Sequence, residues 1–191
     1  MFSNRLRILA PNGDFCRPFD EKASGFTRAD TICVIFLQRK KHSKRVYAEL
    51  LFSNSNNDGF KKEGSTFPSR LMQKSLMEDF FKQSSINPIL IDYVEAHSTG
   101  TRLGDPEEVS ALDEVYCKNV KRDHPLAIGS VKSNMGHAEA SSGVASIAKI
   151  LLTLETNKIA PNINVTKIRS DIPDTMKKRR KLFVFSATFN I

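Results

Sequence analysis

Apolar residues cluster into short, nearly continuous runs at Ile32 to Leu37, Val46 to Phe52, Ile89 to Val94 and Leu126 to Val131. Runs of this length and continuity predict strands buried on both faces. Between and after them the pattern changes to a helical period. Met72, Leu76 and Phe80 recur every four residues, Val109, Leu112 and Tyr116 form a second stripe, and Val144, Ile147, Ala148 and Leu151 form a third. The expected fold class is therefore a layered α/β protein. Asn54 to Gly64 is polar around Asn-Asn-Asp-Gly and reads as an exposed loop within the domain. Asp171 to Lys181 reads as a surface connection before a last strand-like piece, Leu182 to Phe189.

Two strand-loop-helix units carry the candidate chemistry. The first takes Ile91-Asp92-Tyr93-Val94 into Glu95-Ala96-His97-Ser98-Thr99-Gly100-Thr101, and strand ends are where α/β folds place their sites. Gly104-Asp105-Pro106-Glu107-Glu108 then predicts a helix start, with Asp105 as N-cap, proline at the first helical position and two carboxylates in the first turn. The second unit runs from Leu126 to Val131 into Lys132-Ser133-Asn134-Met135-Gly136-His137, then into an amphipathic helix from about Ala138 to Leu154. Each histidine thus leaves a strand end. If the strands are neighbours, both imidazoles converge on one pocket, where they can donate hydrogen bonds to a shared carbonyl oxygen. Losing one such donor typically costs roughly 3 to 4 kcal/mol of transition-state stabilisation. A lone histidine at a strand end is more often a structural residue, so the residues alone leave both roles open. Gly129-Ser-Val-Lys132-Ser133 lacks the leading glycine spacing of a phosphate loop, and neither H-E-x-x-H nor a third ligand supports a metal site.

Charge and composition adjust this picture only slightly. The 191 residues carry a formal charge of +8, much of it in Arg39 to Arg45 and Lys177 to Lys181. Neither cluster has an aromatic ladder, so solvated loops are expected and nucleic-acid binding is not. No apolar run is long enough for a membrane span, and Met1 to Ala10 lacks the apolar core of a signal peptide. Cys16, Cys33 and Cys117 form no C-x-x-C pair, which fits a reducing, cytoplasmic setting.

The residues Val94-Glu-Ala-His97-Ser-Thr-Gly-Thr101 with Leu103-Gly-Asp-Pro106, and then Lys132-Ser-Asn-Met-Gly-His137, are similar to the two histidine motifs of β-ketoacyl synthases. Pro11 to Asp20, Asn57-Asp-Gly-Phe60 and Thr66-Phe-Pro-Ser69 extend the likeness, in the order found in animal fatty acid synthases, so that it spans roughly Arg5 to Val165 and leaves 166–191 as a divergent tail. The chain thus resembles the C-terminal part of a ketosynthase domain. That resemblance implies a thiolase-like layered α/β fold with a mixed sheet, present here as the C-terminal half plus part of the N-terminal half.

It also implies decarboxylative condensation of a malonyl-carrier thioester with an acyl thioester. His97 and His137 would donate to the malonyl carbonyl, Lys132 would hold the second loop through hydrogen bonds and local charge, and Asn134 and Gly136 would support that loop. Thr99 and Thr101 would contact the pantetheine arm. No metal or directly bound cofactor is implied, the phosphopantetheine-linked acyl and malonyl groups being substrates. Expected partners are an acyl carrier protein domain, the remainder of a fatty acid synthase and a second copy in a homodimer. The nucleophilic cysteine of the family falls upstream of the matched segment, and Cys16, Cys33 and Cys117 are expected to be structural, Cys33 inside a buried strand. A partial synthase domain that cannot condense alone is the expectation; a half-domain paired with a complementary chain and a polyketide synthase fragment are the alternatives. Two departures stand out. Leu182 to Ile191 replaces a glycine-rich phenylalanine loop, and Ser98 stands where glycine is usual, at a cost of about 1 kcal/mol if φ is positive there.

Overall fold

The computed structural model describes residues 9–10, 15–64, 66–118, 120–173, 182–184 and 189–190. Among the described residues, four helices and five strands form the frame of the site. Helix α1 (Arg70–Ser84) begins where the Ser69 hydroxyl accepts from the Met72 amide and ends at Ser85 in the left-handed region. Strand β1 (Tyr93–Glu95) leads to helix α2 (Gly104–Asp113), which continues as a π-helical turn over Glu114–Lys118. Strand β2 (Leu126–Gly129) leads to the one-turn helix α3 (Lys132–Met135) and then to helix α4 (Ser142–Thr156). Strands β3 (Lys158–Ile159), β4 (Leu182–Val184) and β5 (Phe189–Asn190) follow.

Strand β2 is central, with β1 and β4 parallel on either side, while β3 and β5 pair antiparallel. The register places Val94 beside Ile128 and Glu95 beside Gly129. Every residue of β2 is buried, and Phe19, Val109, Cys117, Leu126 and Ile128 are fully inaccessible in the core that α1 and α2 form on one face of the sheet. The condition that the two histidine-bearing strands be neighbours is therefore met by direct parallel pairing.

Several expectations need correction. Ile32 to Leu37 and Val46 to Phe52 form no strand, and most of their apolar side chains face outward, with Ile32 98%, Val34 92% and Phe36 83% exposed, while Phe52 packs edge-on against Phe80. A run of this kind becomes a strand only where another strand receives its hydrogen bonds, and among the described residues none does. Cys33 consequently lies half-buried in an unpaired segment rather than inside a strand. The run from Ile89 is shortened by a 3-10 turn at Pro88–Leu90, where the Asn87 side chain accepts from the Ile89 amide, so that β1 spans only three residues. β2 stops at Gly129 because Val131 already has helical dihedrals at the start of α3. The third helix starts at Ser142 after a 3-10 turn at Glu139–Ser141, later than Ala138. Asp105 is not an N-cap; α2 begins at Gly104, whose amide donates to Thr101 Oγ1, and Asp105 lies completely buried inside the first turn.

The basic turn at Lys40–His42 is exposed, and Lys40 and Arg45 pair with Glu49 and Glu155. The second basic cluster, Lys177 to Lys181, lies outside the described residues, as does the link between β4 and β5. Among the described residues no helix is long and apolar enough to cross a membrane.

Candidate active site

The first histidine loop is held by carboxylates of the helix that follows it. Glu108 on α2 accepts from the amides of His97 and Ser98, each at 2.7 Å, and from the Ser98 hydroxyl at 2.9 Å. Asp105, one turn earlier, accepts from Gly100 N at 3.0 Å and from Phe19 N at 2.9 Å. Gly100 needs its missing side chain twice over: its φ is +83°, and a Cβ would lie 2.9 Å from Arg17 N. Arg169, nearly buried and paired with Asp171, donates to the carbonyls of Thr101 and Arg102. Ser98 is not among the residues with positive φ, so the expected strain is absent and its hydroxyl adds a hydrogen bond.

The second loop is clamped from two sides. His137 N donates to Thr27 O at 2.8 Å and His137 O accepts from Ala29 N at 3.1 Å, which ties the loop to the segment after Cys16. Gly136 permits this approach: its φ is +85° and a Cβ would meet Thr27 O at 3.0 Å. From the other side, Asn162 Oδ1 accepts from Ser130 N, Asn164 Nδ2 donates to Ser133 O, and Asn134 Nδ2 donates to Pro161 O. Ser130 Oγ donates to Ser98 O at 2.8 Å and so joins the two loops directly.

These constraints bring the predicted pair together. The His97 and His137 rings stand edge to face with centroids 5.1 Å apart, and Phe26 packs edge-on against His137 at 4.7 Å. His97 turns one edge to solvent, on the wall of an open cavity of about 340 Å³ shared with Leu76, Met77, Ser98, Thr99 and Leu112. His137 is buried behind Phe26 and does not line that cavity, so the two rings meet edge to face without sharing the one pocket expected of them, and the His137 Nδ1 has no hydrogen-bond partner among the described residues. Loss of hydration lowers both imidazoles. For His97, Glu108 opposes the change and Lys132 adds to it; for His137, which falls to about 4, His97 and Lys132 both add to it. Both rings are therefore neutral near pH 7, the form in which an imidazole offers one N–H donor and one acceptor nitrogen.

Lys132 is 2% exposed. Burial lowers its pKa while Glu95 and Glu108 oppose that change, and its backbone carbonyl closes the turn onto Gly136 N. Thr99 is buried beside the cavity, and the Thr101 hydroxyl oxygen is engaged as acceptor at the start of α2. Asn134 and Gly136 support the loop in the ways just given. Cys16 is buried, with Sγ accepting from Thr27 N, and burial raises its thiol pKa; Cys117 is fully buried in the π-helical turn. Sequence reasoning assigned Asp105 and Glu108 only to a helix start and overlooked Arg169, Asn162 and Asn164. No local spacing signals those contacts, because they close over loops distant in the chain.

Comparison with known proteins identifies the family. Residues 47–166, more than half of the chain, match the family described as Beta-ketoacyl synthase, C-terminal domain. The chain is 44% identical over 79% of its length to the fatty acid synthase of Anser anser anser, covering 42% of that protein, and 40% identical over 88% of its length to the highly reducing polyketide synthase phiA of Fungal sp. (strain ATCC 74256), covering 7% of it. Among solved structures it is similar to the ketosynthase from module 6 of the bacillaene synthase of Bacillus subtilis 168, with a TM-score of 0.86 and 31% identity, over 100% of this chain and 34% of that one. The chain thus spans less than half the length of these relatives. Its matching fold and its paired histidine loops place it in the β-ketoacyl synthase family, and it belongs to the C-terminal part of the ketosynthase domain found in fatty acid and polyketide synthases.

Proposed function

We propose that this chain supplies the decarboxylating half of a fatty acid synthase ketosynthase. The observation that supports the reading is the edge-to-face contact of two neutral imidazoles from separate loops, 5.1 Å between centroids. His97 and His137 donate to the carbonyl oxygen of a malonyl thioester carried on the pantetheine arm of an acyl carrier protein. The bond to the carboxylate breaks, carbon dioxide leaves, and the electron pair is held as an enolate on that oxygen. The enolate carbon then attacks an acyl group on a cysteine supplied from elsewhere, forming the carbon-carbon bond and releasing the thiolate. Lys132 adds positive charge near the enolate, and Thr99 and Thr101 border the arm. A fatty acid synthase is favoured over a polyketide synthase by the higher identity, 44% against 40%. The test is conversion of malonyl-pantetheine to acetyl-pantetheine by the purified chain, with no condensation product. His97→Ala and His137→Ala should each lower the rate by roughly 10²–10³-fold, and a rate unaffected by either substitution overturns the proposal.

A second reading follows from one observation: Ile32, Val34, Phe36, Leu50 and Leu51 are each at least 71% exposed. An apolar face of that extent marks an interface. It fits a half-domain that completes its layers against a complementary ketosynthase chain. Concentration-dependent self-association in sedimentation, suppressed by serine at Ile32, Val34 and Phe36, is expected, whereas a monodisperse monomer at all concentrations contradicts this reading.

A further inference from the structure

Behind the histidine loops lies a buried ionic cluster that the proposed chemistry does not use. Lys149, from the middle of α4, and Glu95, at the end of β1, pair at 2.7 Å with side chains 6% and 5% exposed. Lys149 Nζ also donates to Tyr93 OH at 2.8 Å, and that hydroxyl donates to Glu95 Oε2 at 2.5 Å. The free oxygen of the carboxylate, Oε1, accepts from Val131 N at 2.5 Å, immediately before Lys132. Gly129 makes room for the cluster, since a Cβ there would come within 2.4 Å of Tyr93 OH and 3.2 Å of Lys149 Nζ. A lysine and a glutamate taken out of water are costly unless well paired, and replacing them with apolar residues is often neutral for stability. Stability therefore gives little reason for the cluster, whereas its geometry does: one carboxylate oxygen is locked by two donors so that the other can hold one backbone amide.

We infer that Glu95, Lys149 and Tyr93 are positioning residues for the turn that carries Lys132 and His137. Glu95 fixes the first amide of that turn, Lys149 fixes Glu95, and Tyr93 fixes the angle between them. Ser130, one residue earlier, is tied to Ser98 O, so the same few atoms set the spacing of the two histidine loops. The inference rests on the reading of His97 and His137 as the reacting pair. Its test, however, reads the environment of an imidazole and not turnover, so that a failed decarboxylation assay and a failed positioning assay are distinguishable.

The experiment is an NMR titration of histidine-labelled full chain between pH 3 and 8. If the turn is held by the cluster, Lys149→Met admits water to His137 and raises its midpoint from about 4 toward the ordinary histidine value, by roughly one pH unit, with a change in the Val131 amide shift. Lys149→Arg, which keeps the cation, should restore most of both signals. Val109→Ala, a cavity in the core away from the cluster, should lower the melting temperature without moving His137. A Lys149→Met protein that melts earlier with an unmoved His137 midpoint overturns the inference, as does an equal movement in Val109→Ala. If Lys149→Met fails to fold, Tyr93→Phe retains both charges and should move the His137 midpoint upward by a smaller amount; an unmoved midpoint in that variant is equally decisive against the inference.

Discussion

Replacing Asp105 with asparagine is expected to remove a loss of stability that the native protein suffers between pH 4 and pH 7. The carboxyl is fully buried, and that burial pushes its pKa from the ordinary 3.8 to about 6, against the opposing effect of the Phe19 amide and with a further push from Glu108. A folded-state pKa raised above the unfolded one means that the folded protein holds the proton more tightly. The associated stability is fully present below about pH 3.8 and is lost as pH climbs through about 6. A rise of about two pKa units at 1.36 kcal/mol each gives about 3 kcal/mol lost by pH 7. Asparagine cannot ionise, but its Nδ2 stands where one carboxylate oxygen accepts an amide, from Gly100 or from Phe19, which costs roughly 1 to 3 kcal/mol at every pH. Relative to the native protein it should therefore gain about 3 kcal/mol between pH 4 and pH 7, or roughly 6 to 12 °C in melting temperature for a chain of this size. Thermal melts followed by circular dichroism at pH 4, 5, 6 and 7 measure both the gap and its pH dependence. An asparagine variant whose melting temperature runs parallel to that of the native protein from pH 4 to pH 7 would show that Asp105 does not titrate in this window and would refute the reasoning.

Three further substitutions or treatments probe the loops. Glu108→Gln removes the negative charge that opposes desolvation of His97, so the His97 titration midpoint should fall further, alongside a loss of roughly 1 to 3 kcal/mol in stability; a midpoint that stays in place contradicts the assigned contact. Gly136→Ala forces a side chain into positive φ and to within 3.0 Å of Thr27 O, and should cost roughly 1 to 3 kcal/mol in a denaturant titration. Cys16, buried and with its thiol pKa raised, should alkylate with iodoacetamide far more slowly than half-buried Cys33 at pH 8, as peptide mass mapping over time will establish. Equal rates would contradict the buried placement.

The two halves of the sequence signal differ in what they depend on. The histidine units were legible because each is local: an apolar run, a loop of small residues and a helix start lie within one short stretch, and parallel pairing of β1 with β2 then brings the loops together. The helical stripes were legible for the same reason. Ile32 to Leu37 was misread because a continuous apolar run specifies residues that can be buried without specifying what buries them, and the described chain supplies no neighbouring strand. Asp105 was misread in the opposite way. Its position before Pro106 matches a cap, but Thr101 already serves the Gly104 amide, which frees Asp105 to reach Gly100 and Phe19, the latter 86 residues away.

That exchange of partners explains a physical asymmetry between the loops. The first loop is held chiefly by carboxylates at its own helix start, Asp105 and Glu108, with Arg169 reaching Thr101 O and Arg102 O from further along the chain. The second closes its own turn from Lys132 O to Gly136 N but takes its side-chain restraints from elsewhere, Glu95 from β1 and Asn162 and Asn164 from the segment before β4, and its backbone restraint at His137 from Thr27. Contacts of high sequence separation must offset loop closure before they contribute, so His137 is the member of the pair whose placement is the more vulnerable to loss of the surrounding layers. In this chain, then, the His97 loop draws more of its restraint from nearby sequence, and the His137 loop depends more fully on assembly of the layers around it.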